Sequence, residues 1–210
     1  MTRRHLLLPL LLLASAAPLG LCVVSRAIAG PPADQLKVAV DQVITILEDP
    51  TLRANGKAGE RREAVRRVTD TIFDWDETGR QSLGTHWRQR TDAERRQFVA
   101  LFREMLERTY ISKIEQYSGE KISYLGDAVG GDVATVRTVM LTKKEQQIPI
   151  DYRMIRRADR WLIYDVLIEG VSLVGNYRGQ FNEIVRTGSY PALVKRMEAR
   201  IAEMKHAGPE

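Results

Sequence analysis

The pattern of apolar and polar positions is clearest between Trp161 and Phe181, where it predicts a strand, a tight turn and a helix. Residues 161–168 are β-branched, aromatic or aliphatic except Asp165, which indicates a strand at least partly covered on both faces. Gly170 interrupts this run, and Ser172 lies where a helix needs an N-cap. Apolar residues then recur at helical spacing: Val174, Tyr177, Phe181, Ile184 and Val185.

Helical periodicity also covers the first half of the chain. A helix is predicted from Ala33 to Glu48, followed by a flexible connection over Thr51–Gly59 that contains Asn55-Gly56. The inward stripe of this helix is Leu36, Val40, Val43, Ile44 and Leu47. A basic helix follows over residues 59–73. Its arginines form either a solvated face or a contact patch for a partner: Arg61, Arg62, Arg66 and Arg67.

A long helix is predicted to begin at Thr91, because Thr91 and Glu94 form a capping box. Its apolar face is rich in aromatic residues: Phe98, Leu101, Phe102, Met105, Tyr110, Ile114 and Tyr117. Such a face either packs into a core or lines a cavity. Periodicity alone does not distinguish the two.

From Lys121 onward the apolar period changes to two, which predicts strands. The first contains Ile122 and Tyr124 and ends in a glycine-rich turn over Asp127–Asp132. Three more strands are predicted over residues 133–142, 147–156 and 161–168, and Pro149 indicates an edge strand or a strand start. In the last strand the even positions are predicted to share one face: Leu162, Tyr164, Val166 and Ile168.

Two further helices, Ser172–Arg186 and Pro191–Met204, complete the predicted elements. Consecutive strands joined by short turns are antiparallel. Helices before and after such a meander predict an α+β fold, with a curved sheet of about four strands covered by helices.

Residues Met1–Ala29 have the features of a secretory signal peptide. Arg3 and Arg4 precede an apolar run, and Ala27-Ile28-Ala29 is a small-x-small cleavage site before Gly30. The alternative is an uncleaved membrane anchor. A lipoprotein signal at Cys22 fits poorly, because Leu21 occupies a position that normally holds a small side chain. We predict domains at 1–29, the signal, and 30–210, the folded unit.

Removal of the signal changes the charge of the protein. The full chain has 32 Lys+Arg and 27 Asp+Glu; the signal contains three arginines and no acid, so the mature chain has 29 against 27, or +2. This small excess removes the main argument for nucleic-acid binding. Cys22, the only cysteine, lies in the signal, so the mature chain has no disulfide and no thiol nucleophile.

Few residues suggest catalysis. Outside the signal and the C-terminal tail, His86 is the only histidine, and no nucleophile or nucleotide-binding motif occurs. Asp74, Asp76 and Glu77 either hold a hard cation or, more simply, start a helix. Asp151 and Asp165 lie among apolar strand residues and need partners if buried, for which Arg153, Arg178 or a tyrosine hydroxyl are candidates.

Several motifs in this order resemble one family. They are YDVLIEGVSLVGNYRGQF (residues 164–181), Phe73-Asp74, Leu83-Gly84 with Trp87, and the helix from Thr91 to Tyr110. Together they resemble the MlaC, or toluene-tolerance, family of periplasmic phospholipid-binding components of ABC-type lipid transport systems. The resemblance covers nearly all of the mature chain and is weakest before Phe73.

The resemblance implies a cone-shaped, NTF2-like fold and a lipid cavity without catalytic residues, metal or cofactor, in which phospholipid is the cargo. The candidate wall residues are Phe73, Trp87, Phe98, Leu101, Phe102, Met105, Tyr110, Ile150, Tyr152, Met154, Tyr164, Val166, Val171, Val174, Tyr177 and Phe181.

The implied function is a monomeric periplasmic shuttle that carries phospholipid between an outer-membrane lipoprotein and porin complex and an inner-membrane ABC transporter, and so maintains outer-membrane lipid asymmetry. Membrane contact is then made through protein partners. Candidate docking patches are the four arginines of the basic helix and a second group: Arg156, Arg157 and Arg160. The alternatives are a carrier of a hopanoid-like lipid and an NTF2-like hydrolase or isomerase with Asp151 or Asp165 as base.

The signal predicts an exported mature protein that begins near Gly30. N-terminal sequencing of the protein recovered from the periplasmic fraction checks this. Recovery of an intact Met1 terminus in the membrane fraction would show an anchored form instead.

Overall fold

The computed structural model describes residues 31–206, apart from the side chain of Ser112. The predicted signal peptide and its cleavage site lie outside these residues. Segments with helical periodicity form helices, and the segment with a period of two forms strands. The helices before the sheet are α1 (Pro31–Glu48), α2 (Pro50–Arg53), α3 (Ala58–Ile72), α4 (Trp75–Leu83), a 3-10 helix (Gly84–Gln89) and α5 (Asp92–Glu115). The remaining elements are β1 (Lys121–Gly130), β2 (Val133–Leu141), β3 (Gln147–Arg157), β4 (Arg160–Ile168), β5 (Val171–Ser172), α6 (Leu173–Thr187) and α7 (Tyr190–His206).

The strands form one antiparallel meander in the order β1-β2-β3-β4-β5. The α+β prediction is confirmed, with a fifth, two-residue strand in addition to the four expected. The capping box at the start of α5 is also confirmed: the Thr91 amide donates to the Glu94 carboxylate at 2.8 Å, and the Glu94 amide donates to the Thr91 hydroxyl at 3.2 Å. The connection predicted over Thr51–Gly59 contains the short helix α2, which Asp49 caps.

The glycine-rich turn was predicted too long. Asp127 to Gly130 remain in β1 and pair with β2, so only Gly131 and Asp132 form the turn. A β-bulge between Tyr124 and Gly126 allows this, since it absorbs one residue and keeps the following side chains in register with β2. Pro149 lies near the start of β3 in the middle of the sheet. Its carbonyl accepts a hydrogen bond from the Glu169 amide at 2.9 Å, so the strand-start interpretation applies and the edge interpretation does not.

A second bulge changes which residues of β4 face the helices. Arg153 pairs with Asp165 and Met154 with Ile163, which leaves Tyr164 as the extra residue. The alternation of inward-facing and outward-facing side chains along β4 therefore reverses at this point. The prediction that all even positions of β4 share a face is wrong, because Ile163 lies on the same face as Val166.

Two apolar clusters hold the layers together. The sheet cluster joins α1 and α3 to the sheet through buried residues that include Leu36, Ile72, Val136, Met154 and Ile163. The helical cluster joins α4, α5, α6 and α7 and contains no buried strand residue; its members are Leu83, Phe98, Phe102, Met105, Leu106, Phe181, Tyr190, Leu193, Met197 and Ile201.

The basic face of α3 is less solvated than predicted. Glu115, at the end of α5, has a side chain only 10% exposed and accepts hydrogen bonds from Arg61 at 3.1 Å and from Arg62 at 3.0 and 3.1 Å. These two arginines therefore attach α3 to α5. Arg67 is 67% exposed, and its nearest carboxylate, on Glu63, is 3.8 Å away.

Asp74 and Glu77 have structural roles at the start of α4. The Asp74 carboxylate accepts the Glu77 amide at 2.9 Å and Arg157 Nε at 2.7 Å. Arg80 donates to Glu77, and this hydrogen bond lowers the pKa of Glu77 below its ordinary value. The helix-start interpretation of these acids holds, and Arg157 is occupied within the fold.

Asp165 connects β4 to α6. Its carboxylate is 3% exposed and accepts hydrogen bonds from Arg153 Nη1 at 3.2 Å, the Ser172 hydroxyl at 2.7 Å and the Val174 amide at 3.1 Å. Ser172 in turn accepts the Gly175 amide at 2.8 Å, which confirms it as the N-cap of α6. Of the three candidate partners named from the sequence, which were Arg153, Arg178 and a tyrosine hydroxyl, Arg153 is the one that binds Asp165.

We expect Asp165→Asn to lower the free energy of unfolding by about 2 kcal/mol, because an amide replaces a buried carboxylate that holds three donors. Urea unfolding measures this. Asp159→Asn, in the exposed β3–β4 turn, is the control and should change the stability by no more than about 0.5 kcal/mol. Equal stabilities of the two variants would contradict the structural role of Asp165.

Candidate functional site

The face of the sheet toward the helices is sealed at one end and, on β3 and β4, open at the other. At the sealed end Ala134, Met154 and Ile163 are at most 5% exposed beneath the first half of α1 and the end of α3. Along the same face toward the other end, Tyr152 and Val166, then Ile150 and Ile168, are only half-buried. The sheet thus presents an apolar surface that its own helices do not fully cover.

Tyr152 lies deep within this surface. It retains accessible area, yet burial raises the pKa of its phenol to about 12. Tyr152 is therefore a half-buried residue of the inner sheet face that is largely surrounded by protein.

This surface stays accessible because of which helices pack on the sheet and which pack on other helices. α5 packs on α4 and α7, whereas α1, α3, α4 and α6 make the contacts with the sheet. The half-buried Val40 and Tyr124 flank the sheet cluster, and Tyr110 and Tyr177 flank the helical cluster. These partly buried residues lie at the margins of the two clusters.

Many of the predicted wall residues belong to the closed helical cluster. Phe98, Phe102 and Phe181 are at most 4% exposed and pack with ring centroids 5.3–5.8 Å apart. Met105 is buried beside them, and the partly buried residues Trp87, Leu101, Tyr110 and Tyr177 pack around them. For the buried members, the structure shows a packed core.

Other predicted wall residues do meet at the sheet. Phe73, Tyr152 and Val166 flank the sheet cluster, Met154 is fully buried in it, and Ile150 continues the open face. Val174 is buried at the start of α6. The structure does not bring two predicted residues to this face: Tyr164 occupies the β4 bulge, and Val171 is 60% exposed beside the β4–β5 turn.

Two cavities open between helices. One of about 350 Å³ lies between α5, α6 and α7, where Met105, Tyr177 and Phe181 meet Arg196 and Arg200. The other, of about 400 Å³, lies between the α4–3-10 junction and α6 and is lined by Leu83, Gly84, Thr85, Gly175, Arg178, Gly179 and Asn182. Both volumes are at the small end of ligand pockets. The first brings three predicted wall residues to a cavity, away from the sheet.

Sequence analysis missed two aromatic residues of the site as wall candidates. Tyr124 belongs to the inner face of β1, as its alternation with Ile122 would have indicated. Trp75 stacks on Phe73 at 4.8 Å between ring centroids and connects the margins of the two clusters. No sequence signal marks that stack, since it depends on the turn between α3 and α4.

The polar groups of the described residues perform structural tasks. His86 Nε2 lies 2.9 Å from Asn182 Oδ1 and so joins the 3-10 helix to α6. Within residues 31–206 no three His, Cys, Asp or Glu side chains meet in a way that could hold a metal ion. The same residues contain no helix that is both long and apolar enough to cross a bilayer.

Comparison with known proteins agrees with this architecture. A solved structure of a phospholipid-binding protein from Ralstonia solanacearum, in complex with a phospholipid, matches with a TM-score of 0.73 and 26% sequence identity. The match covers 84% of this chain and 99% of the other. The family model described as MlaC protein matches residues 37–199, which is more than half of the chain. The chain therefore belongs to the MlaC family.

Proposed function

We propose that the protein is a periplasmic carrier that binds phospholipid in the cleft between the sheet and the helices. The main support for this proposal is that Tyr152, Val166 and Ile150 remain accessible on the open half of the sheet face. The chain also belongs to the MlaC family. The matching protein from Ralstonia solanacearum, whose structure includes a phospholipid, supports the same cargo.

The energetics of acyl chains explain why a carrier needs such a cleft. Each buried methylene contributes about 0.8 kcal/mol, so exposing two long chains to water costs on the order of 20 kcal/mol. A carrier must replace that contact with apolar surface while remaining folded when empty. The closed cluster around Phe102 and the sealed end around Met154 keep the fold intact independently of cargo.

Proteins of this family are lipid carriers and not enzymes. In agreement, the Asp165 carboxylate is already bound by three donors and is therefore poorly placed to act as a base. The mass of the lipid that co-purifies with the protein distinguishes a hopanoid-like cargo from phospholipid. Apolar wall residues alone discriminate weakly between the apolar parts of different lipids.

We further propose that the carrier exchanges lipid with an inner-membrane ABC transporter complex and an outer-membrane lipoprotein and porin complex through polar contacts. The mature charge of +2 is too small for strong binding to an anionic membrane, where each basic residue contributes about 1 kcal/mol. Ion pairs within the fold reduce the number of arginines that are candidates for docking. Arg61, Arg62 and Arg157 bind carboxylates that are at most 10% exposed. Arg67 is 67% exposed with its nearest carboxylate 3.8 Å away, and Arg156 is 51% exposed and pairs with the exposed carboxylate of Asp132.

Val166→Trp should lower the amount of bound lipid severalfold with little loss of stability, because the larger ring enters the open half of the cleft. Native mass spectrometry of freshly purified protein measures lipid occupancy, and thermal unfolding measures stability. Phospholipid in the wild type and its loss in the variant are the expected results.

Phe102→Trp is the matched control for this substitution. Phe102 is 1% exposed inside the aromatic cluster, so overpacking there should cost about 1–3 kcal/mol of stability. If Val166→Trp destabilises the protein as much as Phe102→Trp and leaves bound lipid unchanged, Val166 is ordinary core. No lipid in the wild type would contradict the proposed function itself.

Arg67→Glu or Arg156→Glu should slow lipid delivery to membranes that contain the transporter complex and should leave bound lipid in place. Reversal of an exposed interfacial charge lowers the association rate, and the effect weakens as salt screens the charges. Transfer of fluorescent phospholipid at two salt concentrations measures this. Lys195→Glu, exposed on α7, is the control. Unchanged transfer by both variants would place docking on another surface.

A further inference from the structure

The hydroxyl of Tyr124 is buried and has no hydrogen-bond partner within residues 31–206. Tyr124 is itself half-buried and lies on the inner face of β1 opposite the fully buried Thr138. A buried unsatisfied hydroxyl costs about 1–3 kcal/mol, and native proteins keep few of them. Phenylalanine would fill the same space without this cost. The hydroxyl therefore requires an acceptor or donor that the protein itself does not supply.

The neighbouring groups do not satisfy it. The Thr138 hydroxyl donates to the Ile150 carbonyl at 2.7 Å and so has its own acceptor. Tyr152 lies on the same face, and burial together with this neighbouring phenol raises the pKa of Tyr124. The Asp41 carboxylate acts in the same direction. Tyr124 thus remains a neutral donor.

The surroundings of Tyr124 change from apolar to charged over a short distance. On one side are Tyr152 and Val166 of the open sheet face. On the other is α1, where the Lys37 ammonium lies 6.0 Å from the centroid of the Tyr124 ring and is paired with Asp41 at the exposed surface. This boundary matches the chemistry of a glycerolipid. Its ester carbonyls separate the apolar chains from the charged head group.

We infer that Tyr124 donates a hydrogen bond to an ester carbonyl of the bound glycerolipid, and that this bond sets how deep the lipid enters and favours ester-linked over ether-linked cargo. The inference rests on the proposed function. Tyr124 is then a specificity-determining residue of the cleft. The competing explanation is a resident water that hydrogen-bonds the phenol whether or not lipid is present.

The test compares two phosphatidylglycerols that differ only in linkage, the 1,2-diacyl lipid and the 1,2-dialkyl ether with the same chain lengths. Delipidated mature protein is titrated with each. The wild type should bind the diester up to about tenfold more tightly, as one hydrogen bond to a buried donor allows. Tyr124→Phe should remove this preference and keep the affinity for the diether. Tyr164→Phe, at the β4 bulge, is the matched control and should keep the preference.

Stability of the empty protein supplies a second readout. If the phenol lacks a partner without lipid, Tyr124→Phe should leave the melting temperature unchanged or raise it. A lower melting temperature with no change in linkage preference supports the resident water and overturns the inference. A wild type that binds both lipids equally also overturns it and leaves the carrier function intact, whereas binding of neither lipid contradicts the carrier function.

Discussion

The buried carboxylate of Asp165 is the interaction on which the two layers depend. It lies at a bulge where the alternation of β4 reverses, and it accepts hydrogen bonds from β3, from the N-cap serine of α6 and from the α6 backbone. This one group therefore connects β3, β4 and the start of α6. Satisfied by three donors, a charged group in this position orders the structure.

Separation of the apolar residues into two clusters follows from this arrangement and explains how a carrier stays folded without cargo. α6 begins at the sheet but packs its aromatic residues against α5 and α7, so the helical cluster is complete in itself. The sheet cluster is complete only at the end covered by α1 and α3. The apolar residues between the two clusters are only partly buried.

Paired charges connect the helices to one another and to the sheet. Glu115 attaches α3 to α5 through Arg61 and Arg62, and Asp74 and Glu77 attach α4 to the end of β3 through Arg157. These carboxylates are largely shielded from solvent, so their ion pairs resist screening better than exposed pairs do. They also hold three arginines of the proposed docking patches in ion pairs within the fold.

The sequence by itself determined the elements and the class of the fold, because helical and strand periodicities, the Thr91–Glu94 box and the Ser172 cap are local signals. It also offered Arg153 as one of three candidate partners for a buried Asp165, beside Arg178 and a tyrosine hydroxyl. Which aromatic residues are buried in a core and which stay partly accessible was decided only by the tertiary structure. Phe102 lies on a helical apolar stripe and Tyr152 on a strand with a period of two, and neither period records burial. Phe102 is buried by its packing against Tyr177 and Phe181 of α6, whereas Tyr152 stays half-buried at the margin of the sheet cluster.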